Sequence, residues 1–328
     1  GVSDKVLKKR EIPSFFSLFF TESIILNRRA NKASHFMRLA KRRMEVLDMA
    51  RHNFVFFYGM VTKNPKIIYD EEGNFVRGQC VITTIRGSRN TEDDKYENYK
   101  YDCPILVTKN PELICKMTEW KTFDMVEIKG TVSTRDIKRG SICPNCGHQN
   151  IKAGVLCYIT PIYVNKIEHG ANEEECFNLL REKCEISNQC IIAGNLCNDP
   201  IIYRPESGQM QAQYQIALNR KFRVKEDPPE LKTDYPWVKS TGENAESDSK
   251  FLMKGSSVLV EGFVQTRNIK QKNVCEECGE EYEYTAQALE IVPYSTEYLL
   301  NCRSTEEIEA METAARESAF NDLFKTDN

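Results

Sequence analysis

Short runs in which apolar and polar residues alternate recur along most of the chain, and this two-residue period is typical of half-buried β-strands. The runs are rich in Val, Ile, Thr, Tyr and Phe, and turn-forming stretches such as residues 70–73 (DEEG) separate them. The pattern predicts strands at residues 53–59, 79–86, 101–107, 125–133 and 155–164, and again at 189–194, 211–219, 235–239, 257–265 and 284–292.

Apolar residues at helical spacing predict helices at 34–50, 111–118, 171–187 and 304–324. Asn172 is the predicted cap of the third helix, and Ser304 with Glu307 forms a capping box at the start of the last. The basic surface of the first helix fits either a solvated face or an arm that contacts phosphates. Polar stretches predict loops at 91–98, 225–234 and 240–250.

One stretch of the chain occurs twice. Residues 126–146 (VEIKGTVSTRDIKRGSICPNC) match residues 258–278 (VLVEGFVQTRNIKQKNVCEEC) at an offset of 132 residues without a gap. A period of this length indicates a duplicated domain, because the repeats of solenoids are far shorter. The identical pairs include Gly130 and Gly262, Thr134-Arg135 and Thr266-Arg267, and the two cysteines that end each copy.

Each repeat therefore predicts five strands, and the first has a short helix before its fourth strand. This pattern is that of the oligonucleotide-binding (OB) fold, a small Greek-key barrel, so the predicted class is mainly β with two tandem barrels. The predicted domains are a basic helical extension at 1–52, the first barrel at 53–168, a linker helix at 169–187, the second barrel at 188–298 and an acidic C-terminal helix or tail at 299–328.

The composition and charge of the chain indicate what it binds and in which compartment it acts. The 328 residues carry a net charge of −3, so any surface that attracts nucleic acid has to be local. The most apolar run, 12–26, contains Glu22 and is shorter than the ~20 residues that span a bilayer, so we interpret it as a buried or partner-facing helix. With thirteen cysteines and no secretory signal, the sequence favours a soluble, cytoplasmic protein associated with the nucleoid and not with a membrane.

The two C-x-x-C pairs predict a metal centre. Each pair is followed by a glycine (Gly147 and Gly279), which lets the backbone fold around an ion. A structural zinc needs four ligands, and each knuckle supplies two, so the symmetric solution is one site made by Cys143, Cys146, Cys275 and Cys278. In an alternative, Cys157 and His148 complete a separate zinc site at the first C-x-x-C pair. The other interpretations are a redox dithiol and two reduced C-x-x-C pairs without metal.

The second repeat resembles the bacterial single-stranded DNA-binding protein family. The resemblance lies in the opening strand from Asn188 to Pro200, the first turn from Tyr203 to Gly208, the second strand Ile216-Ala-Leu-Asn-Arg220-x-Phe222, and the stretch from Phe251 to Arg267. The first repeat keeps Asn53, Gly59 and Pro65 at the same spacing as Asn188, Gly194 and Pro200. Two such domains in one chain are similar to the proteins of the Thermus and Deinococcus group, which act as dimers, so the resemblance implies a homodimer. The acidic tip that recruits the family's usual partners is absent from this sequence.

The resemblance implies that bases stack on Phe222 and Tyr235 and that Lys and Arg contact phosphates. Ile137 and Ile269 stand where the family often has another aromatic residue, and Arg89 falls near the first-repeat place of Phe222. The basic residues that we predict to contact DNA are Arg86, Arg89, Arg135, Lys138, Arg139, Arg220, Lys221, Arg267 and Lys270.

These features together predict a non-catalytic protein that coats and protects single-stranded DNA in replication, repair or recombination, with zinc as a structural cofactor. No nucleophile–base set, phosphate-binding glycine loop or acidic metal cluster is apparent in the sequence. Two alternatives remain open. One is a primosome-like or mobile-element adaptor whose barrels bind replication or recombination proteins, and the other is an RNA-binding tandem barrel.

Overall fold

The computed structural model describes residues 52–89, 96–206, 208–219 and 233–325, and the predicted helix at 34–50 and apolar run at 12–26 lie outside this part. The first half contains β1 (His52–Val61), β2 (Lys66–Tyr69), β3 (Phe75–Arg89), β4 (Tyr96–Asp102), β5 (Ile105–Thr108), α1 (Pro111–Thr118), β6 (Asp124–Ile142) and β7 (Gln149–His169). The second half contains α2 (Glu173–Glu182), α3 (Cys184–Ser187), β8 (Asn188–Leu196), β9 (Ile201–Tyr203), β10 (Gln211–Asn219), β11 (Thr233–Asp234), β12 (Trp237–Thr241), α4 (Glu243–Phe251), β13 (Ser257–Val274), β14 (Glu281–Leu300) and α5 (Thr305–Lys325).

The strands form two closed circuits with the same pairing order. In the first, β1 pairs with β3, β3 with β5, β5 with β7, β7 with β6, and β6 with β1. In the second, β8, β10, β12, β14 and β13 repeat that order. The parallel contact falls at Leu106–Ile159 in one and at Val238–Ile291 in the other, again 132 residues apart. The predicted mainly-β class is confirmed, and we call the circuits barrel 1 and barrel 2.

The two barrels share a strand junction and a core. Residues His52–Phe57 of β1 pair antiparallel with Asn188–Ala193 of β8, which makes the barrels part of one continuous sheet. The alternating side chains of β1 and β8 point into the interior, where Val55 and Ile192 are fully buried. Since burial of each such side chain contributes roughly 1.5–3 kcal/mol, the common core stabilises both barrels together.

Capping explains where the helices begin. The Asn110 side chain accepts a hydrogen bond from the Glu112 N–H at 3.0 Å, with Pro111 at the first helical position, so α1 has the predicted bounds. Asn172 caps α2 as predicted, through the Glu175 N–H at 3.0 Å. The predicted capping box of α5 is also present, because Ser304 and Glu307 bond each other's backbone N–H at 3.2 and 2.7 Å.

Several predicted bounds are wrong. The linker is two helices and not one, since Lys183 interrupts it. The strand predicted at 101–107 is divided into β4 and β5, because Pro104 has no N–H to donate to the ladder. Residues 240–250, predicted as a loop, overlap the helix α4, and His52, predicted as the last residue of the extension, is the first residue of β1.

Helix α4 forms because its few inward-facing groups find partners. Asp248 is fully buried, and its carboxylate accepts hydrogen bonds from Ser240 Oγ at 2.6 Å and Tyr298 Oη at 2.9 Å. Burial raises the pKa of the Asp248 carboxyl above its usual value. The prediction of a loop is wrong because the partners of Asp248 lie on the barrel strands β12 and β14, and they meet it only in the folded barrel. No helix in the described ranges is long and apolar enough to cross a membrane.

Candidate functional site

The fourth and fifth strands of each barrel extend well beyond it as long hairpins. β6 and β7 pair continuously to Ile142–Gln149, and β13 and β14 pair to Val274–Glu281. Each hairpin tip carries one C-x-x-C pair. The sequence predicted strands that end earlier, and the extra ladder is what carries the cysteines away from the barrel bodies.

Each tip folds as the same tight knuckle. The backbone N–H of Cys143 donates to the carbonyl five residues later at 2.9 Å, and the N–H of Cys275 does the same in its copy, also at 2.9 Å. Gly147 and Gly279 have φ of +75° and +72°, in the left-handed region that L-residues avoid. The predicted role of the two glycines is therefore seen in the backbone: each closes its loop around the pair of thiols.

The two tips meet within one chain. The sulfur atoms of Cys143, Cys146, Cys275 and Cys278 all lie within 4.8 Å of one another, with Sγ–Sγ distances of 3.7 Å for Cys143–Cys278 and 3.5 Å for Cys146–Cys275. Four sulfurs at ~2.3 Å from one tetrahedral zinc would be spaced by about 3.8 Å, so the donor set fits that ion. Cys157 does not belong to this cluster.

Backbone and side-chain donors are directed at two of the sulfur atoms. Cys143 and Cys275 are buried, while Cys146 and Cys278 face solvent. The pKa of the Cys275 thiol is lowered to about 6, first of all because the backbone N–H of Cys278 is directed at its sulfur. Asn145 Nδ2 lies 3.8 Å from the Cys278 sulfur and adds a donor from the opposite knuckle. A thiolate is the form that binds a metal.

A buried polar network joins the hairpins directly beneath the cysteines. Tyr282 Oη lies 2.7 Å from Ser141 Oγ and accepts hydrogen bonds from the side-chain amides of Asn150 and Asn273, each at 3.0 Å. Asn150 Oδ1 in turn accepts the N–H of Glu276 at 2.8 Å. Ser141 and Asn273 are related by the 132-residue offset, as are Asn150 and Tyr282, so the network lies on the axis that relates the two repeats.

Two further contacts connect the barrels reciprocally. The backbone N–H of Thr134 donates to Asp234 Oδ1 at 2.8 Å, and that of Thr266 donates to Asp102 Oδ1 at 2.8 Å. In return, each threonine hydroxyl accepts the N–H of the residue that follows the aspartate, at 2.9 and 2.7 Å. We call these the Asp–Thr latches. Both threonines and both aspartates are identical between the repeats, but no local pattern predicts these contacts, because each threonine and its aspartate are 100 or more residues apart.

Several of the predicted DNA-contacting residues already have partners within the protein. Arg86 pairs with the buried Asp102 at 2.7 Å and stacks 4.5 Å from the Phe263 ring centroid. Arg267 forms a two-pronged ion pair with Glu290, at 2.7 Å for each nitrogen.

The other predicted contact residues differ in exposure. Arg135 and Lys138 are exposed on β6, and Arg139 is half-buried with Nη2 donating to the Val155 carbonyl at 3.0 Å. Tyr235 is 45% exposed. Lys270 is exposed and lies 3.7 Å from Glu283, and Ile137 and Ile269 are half-buried on the hairpins. Arg220, Lys221, Phe222 and the side chain of Arg89 lie outside the described residues.

Comparison with known proteins places the similarity in barrel 2. The model of the single-strand binding protein family matches residues 187–292, from just before β8 into β14. A single-stranded DNA-binding protein of Chlorobaculum tepidum is 37% identical over 87 residues, which is 26% of this chain and 59% of that protein. One of Staphylococcus aureus is 34% identical over 85 residues, or 26% of this chain. The chain thus spans 59% and 53% of the length of these relatives.

Among solved structures, a deletion mutant of the single-stranded DNA binding protein from Thermus aquaticus aligns with 79% of this chain and 100% of its own, at a TM-score of 0.49 and 18% identity. The wild-type protein gives a TM-score of 0.49 at 16% identity, over 78% of this chain and 96% of its own. By its family match and its curated relatives, the chain is similar to bacterial single-stranded DNA-binding proteins.

Proposed function

We propose that this chain is a non-catalytic single-stranded DNA-binding protein made of two OB barrels. The observation that carries the proposal is that the family match at 187–292 covers β8 to β13 and more than half of β14, the strands of barrel 2. Barrel 1 has the same pairing order and lies on the same sheet, so it offers a second surface of the same kind. The OB barrel binds oligonucleotides on an exposed face and its flanking loops.

A structural zinc completes the proposal. Cys143, Cys146, Cys275 and Cys278 would hold it, and it would supply a fixed bond between the hairpin tips. A hairpin is a two-stranded ribbon that is marginally stable in water by itself. The polar network around Tyr282 and the Asp–Thr latches order the hairpins from below, and the metal would order them at the tips. Four thiolates leave no position for a reactive water, so the ion would have no catalytic part.

The surface available to DNA combines charge and aromatic rings. Arg135 and Lys138 are exposed on β6, and Tyr235 offers an exposed ring beside them across the Asp234–Thr134 latch. Phe222, Arg220 and Lys221 remain proposed contacts on the segment between β10 and β11. Stacking on such rings suits sequence-independent binding because every base has a π-face. The protein would coat single strands during replication, repair or recombination in the nucleoid, as a monomer or homodimer.

Binding is tested by titrating fluorescent single-stranded DNA, duplex DNA and RNA with the full chain at two salt concentrations. Each barrel should cover roughly 4–16 nucleotides. We expect single-stranded DNA to bind most tightly and its affinity to fall steeply as salt rises, because phosphate contacts release counterions. Tighter binding to the duplex would contradict the proposal, preference for RNA would favour the RNA-binding alternative, and weak binding to all three would favour an adaptor.

Arg135 and Arg267 occupy equivalent positions in the two repeats, and their substitutions test two different roles: contact with DNA and an ion pair within the protein. Arg135 is exposed, whereas its counterpart Arg267 is held by Glu290 at 2.7 Å. Arg135→Ala should reduce the slope of log affinity against log salt by about 0.7, the value for one phosphate contact on a single strand. Arg267→Ala should instead lower the melting temperature, because Glu290 is left buried and unpaired. If Arg135→Ala leaves the slope unchanged, Arg135 does not contact a phosphate.

A further inference from the structure

A groove of about 630 Å³ lies between the two hairpins and opens onto β12 of barrel 2. Its volume falls within the range of roughly 300–1,000 Å³ that is usual for ligand sites. One wall comes from β6 and β7, the other from β13 and β14, and the floor is Tyr235, Pro236 and Trp237. The groove therefore exists only where the two repeats meet.

The floor is aromatic in one repeat only. Trp237 is half-buried and Tyr235 is 45% exposed, so both present ring surface to the groove that they line. Their counterparts 132 residues earlier are Ile105 and Cys103. The equivalence is structural as well, because β5 and β12 make the same parallel contact with β7 and β14. The symmetric architecture thus carries a stacking platform in barrel 2 that barrel 1 lacks.

The walls are cationic. Arg139, Lys152 and Lys272 line the groove, and among the described residues no carboxylate lies within 4.0 Å of their charged groups. The remaining pair of charges cancels, since Arg267 is bound to Glu290 at 2.7 Å. A groove with this excess of positive charge favours an anionic ligand.

Two of the wall side chains, Arg139 and Tyr284, are held in place by contacts within their own hairpins. Arg139 Nη2 donates to the Val155 carbonyl at 3.0 Å, and its side chain lies against Gly154, where a Cβ would stand only 3.2 Å from Arg139 Cδ. On the opposite wall Tyr284 donates to Gln271 Oε1 at 2.5 Å. The counterparts of Arg139 and Gly154 are Gln271 and Ala286, so this arrangement too belongs to one repeat.

We propose that this groove is a nucleotide-binding site for single-stranded DNA, one per chain. A base would stack on Trp237, next to the exposed Tyr235, and the phosphates on either side would lie against Arg139, Lys152 and Lys272. The inference rests on the proposed function and deepens it, because it assigns the inter-hairpin groove, Trp237 and both wall lysines to the DNA path. Aromatic rings combined with unpaired cations suit a nucleic acid strand better than an apolar or acidic peptide segment.

Tryptophan fluorescence gives a direct test, because the chain has two tryptophans and Trp120 is only 4% exposed. Titration with an unlabelled thymidine homo-oligonucleotide of about 30 nucleotides, near the upper limit for two barrels, should quench the emission of the wild-type protein. Trp237→Phe should abolish the quenching while keeping the fold. Binding measured in parallel, by anisotropy of a labelled copy of the same oligonucleotide, should persist in this variant.

Charge variants test the walls. The double variant Lys152→Ala/Lys272→Ala should weaken oligonucleotide binding at least tenfold and flatten its salt dependence, whereas Lys63→Ala/Lys254→Ala removes two exposed lysines outside the groove and should have a smaller effect. Equal losses in both pairs would mean general electrostatic attraction and would overturn the proposal.

The outcomes distinguish this inference from the proposed function. Tight binding by anisotropy with unchanged wild-type tryptophan emission overturns the groove and leaves the proposed function intact. No binding of the oligonucleotide overturns both. Quenching by an acidic peptide but not by the oligonucleotide would assign the groove to a protein partner and would overturn the nucleotide site.

Discussion

Replacing Cys275 and Cys278 by serine is expected to remove all the zinc from the protein, although Cys143 and Cys146 are still present. The reason is geometric: the four sulfurs lie within 4.8 Å of one another, so they form one donor set and not two. Serine is a poor zinc ligand, and two thiolates do not hold a structural ion. Metal analysis of the purified chain should give about one zinc per wild-type molecule, the number that closes one tetrahedral site, and essentially none in the variant.

Cys115→Ser is the matched control, because this exposed cysteine lies on α1, outside the four-cysteine cluster. It should retain the full zinc content. If half the metal stays bound after the Cys275 and Cys278 replacements, each hairpin has its own site, and Cys157 or His148 would become the next ligand to test. If the wild-type protein binds no zinc when refolded with it, the structural-zinc proposal is wrong.

Loss of the metal should change the geometry of the groove as well as that of the hairpin tips. The walls that carry Lys152 and Lys272 belong to different hairpins, which the cysteines, the Tyr282 network and the Asp–Thr latches hold together. Because the network and latches remain in the cysteine variant, the barrels should stay folded while the hairpin tips loosen. The metal-free protein is therefore a more specific probe of hairpin geometry than a variant of the core.

The sequence predicted those features whose determinants are local or duplicated. The C-x-x-C spacing, the glycine after it and the Ser304–Glu307 capping box each lie within a few residues, and the structure has all of them. The pairing of the two knuckles also followed from the repeat, because neither copy alone has four equivalent ligands. The structure brings all four cysteines together within one chain, a point that the spacing alone left open.

Features that depend on contacts between residues distant in sequence could not be predicted. The Asp102–Thr266 latch joins residues in different barrels, and no local sequence pattern around either residue predicts the contact. Arg267 resembles a phosphate contact by position, but Glu290, opposite on the same hairpin, is within reach only once the register is known. Helix α4 was missed for a similar reason, since its anchor Asp248 finds Ser240 and Tyr298 only in the folded barrel.

Gly262→Ala is expected to destabilise the hairpin of barrel 2 strongly. A Cβ at this position would overlap the carbonyl oxygen of Val292 and stand 2.9 Å from Pro293 Cα, both of them backbone atoms that cannot rotate away. The ladder has a register shift between Glu261 and Gly262, which is the position where β13 bends from the barrel into the hairpin. Gly130 repeats the arrangement in barrel 1, with a register shift between Lys129 and Gly130.

The free energy of unfolding of Gly262→Ala should fall by about 1–3 kcal/mol or more, the usual cost of forcing a carbon into a packed site. Chemical denaturation followed by circular dichroism measures this, with the exposed neighbour Glu261→Ala as control, for which we expect little change. Zinc affinity should fall with it, because a strand that shifts to admit the methyl group re-aims the hairpin that carries Cys275 and Cys278. A Gly262→Ala protein with wild-type stability and zinc affinity would show that the ladder absorbs the methyl group at this bend, and that the bend does not determine where the cysteines meet.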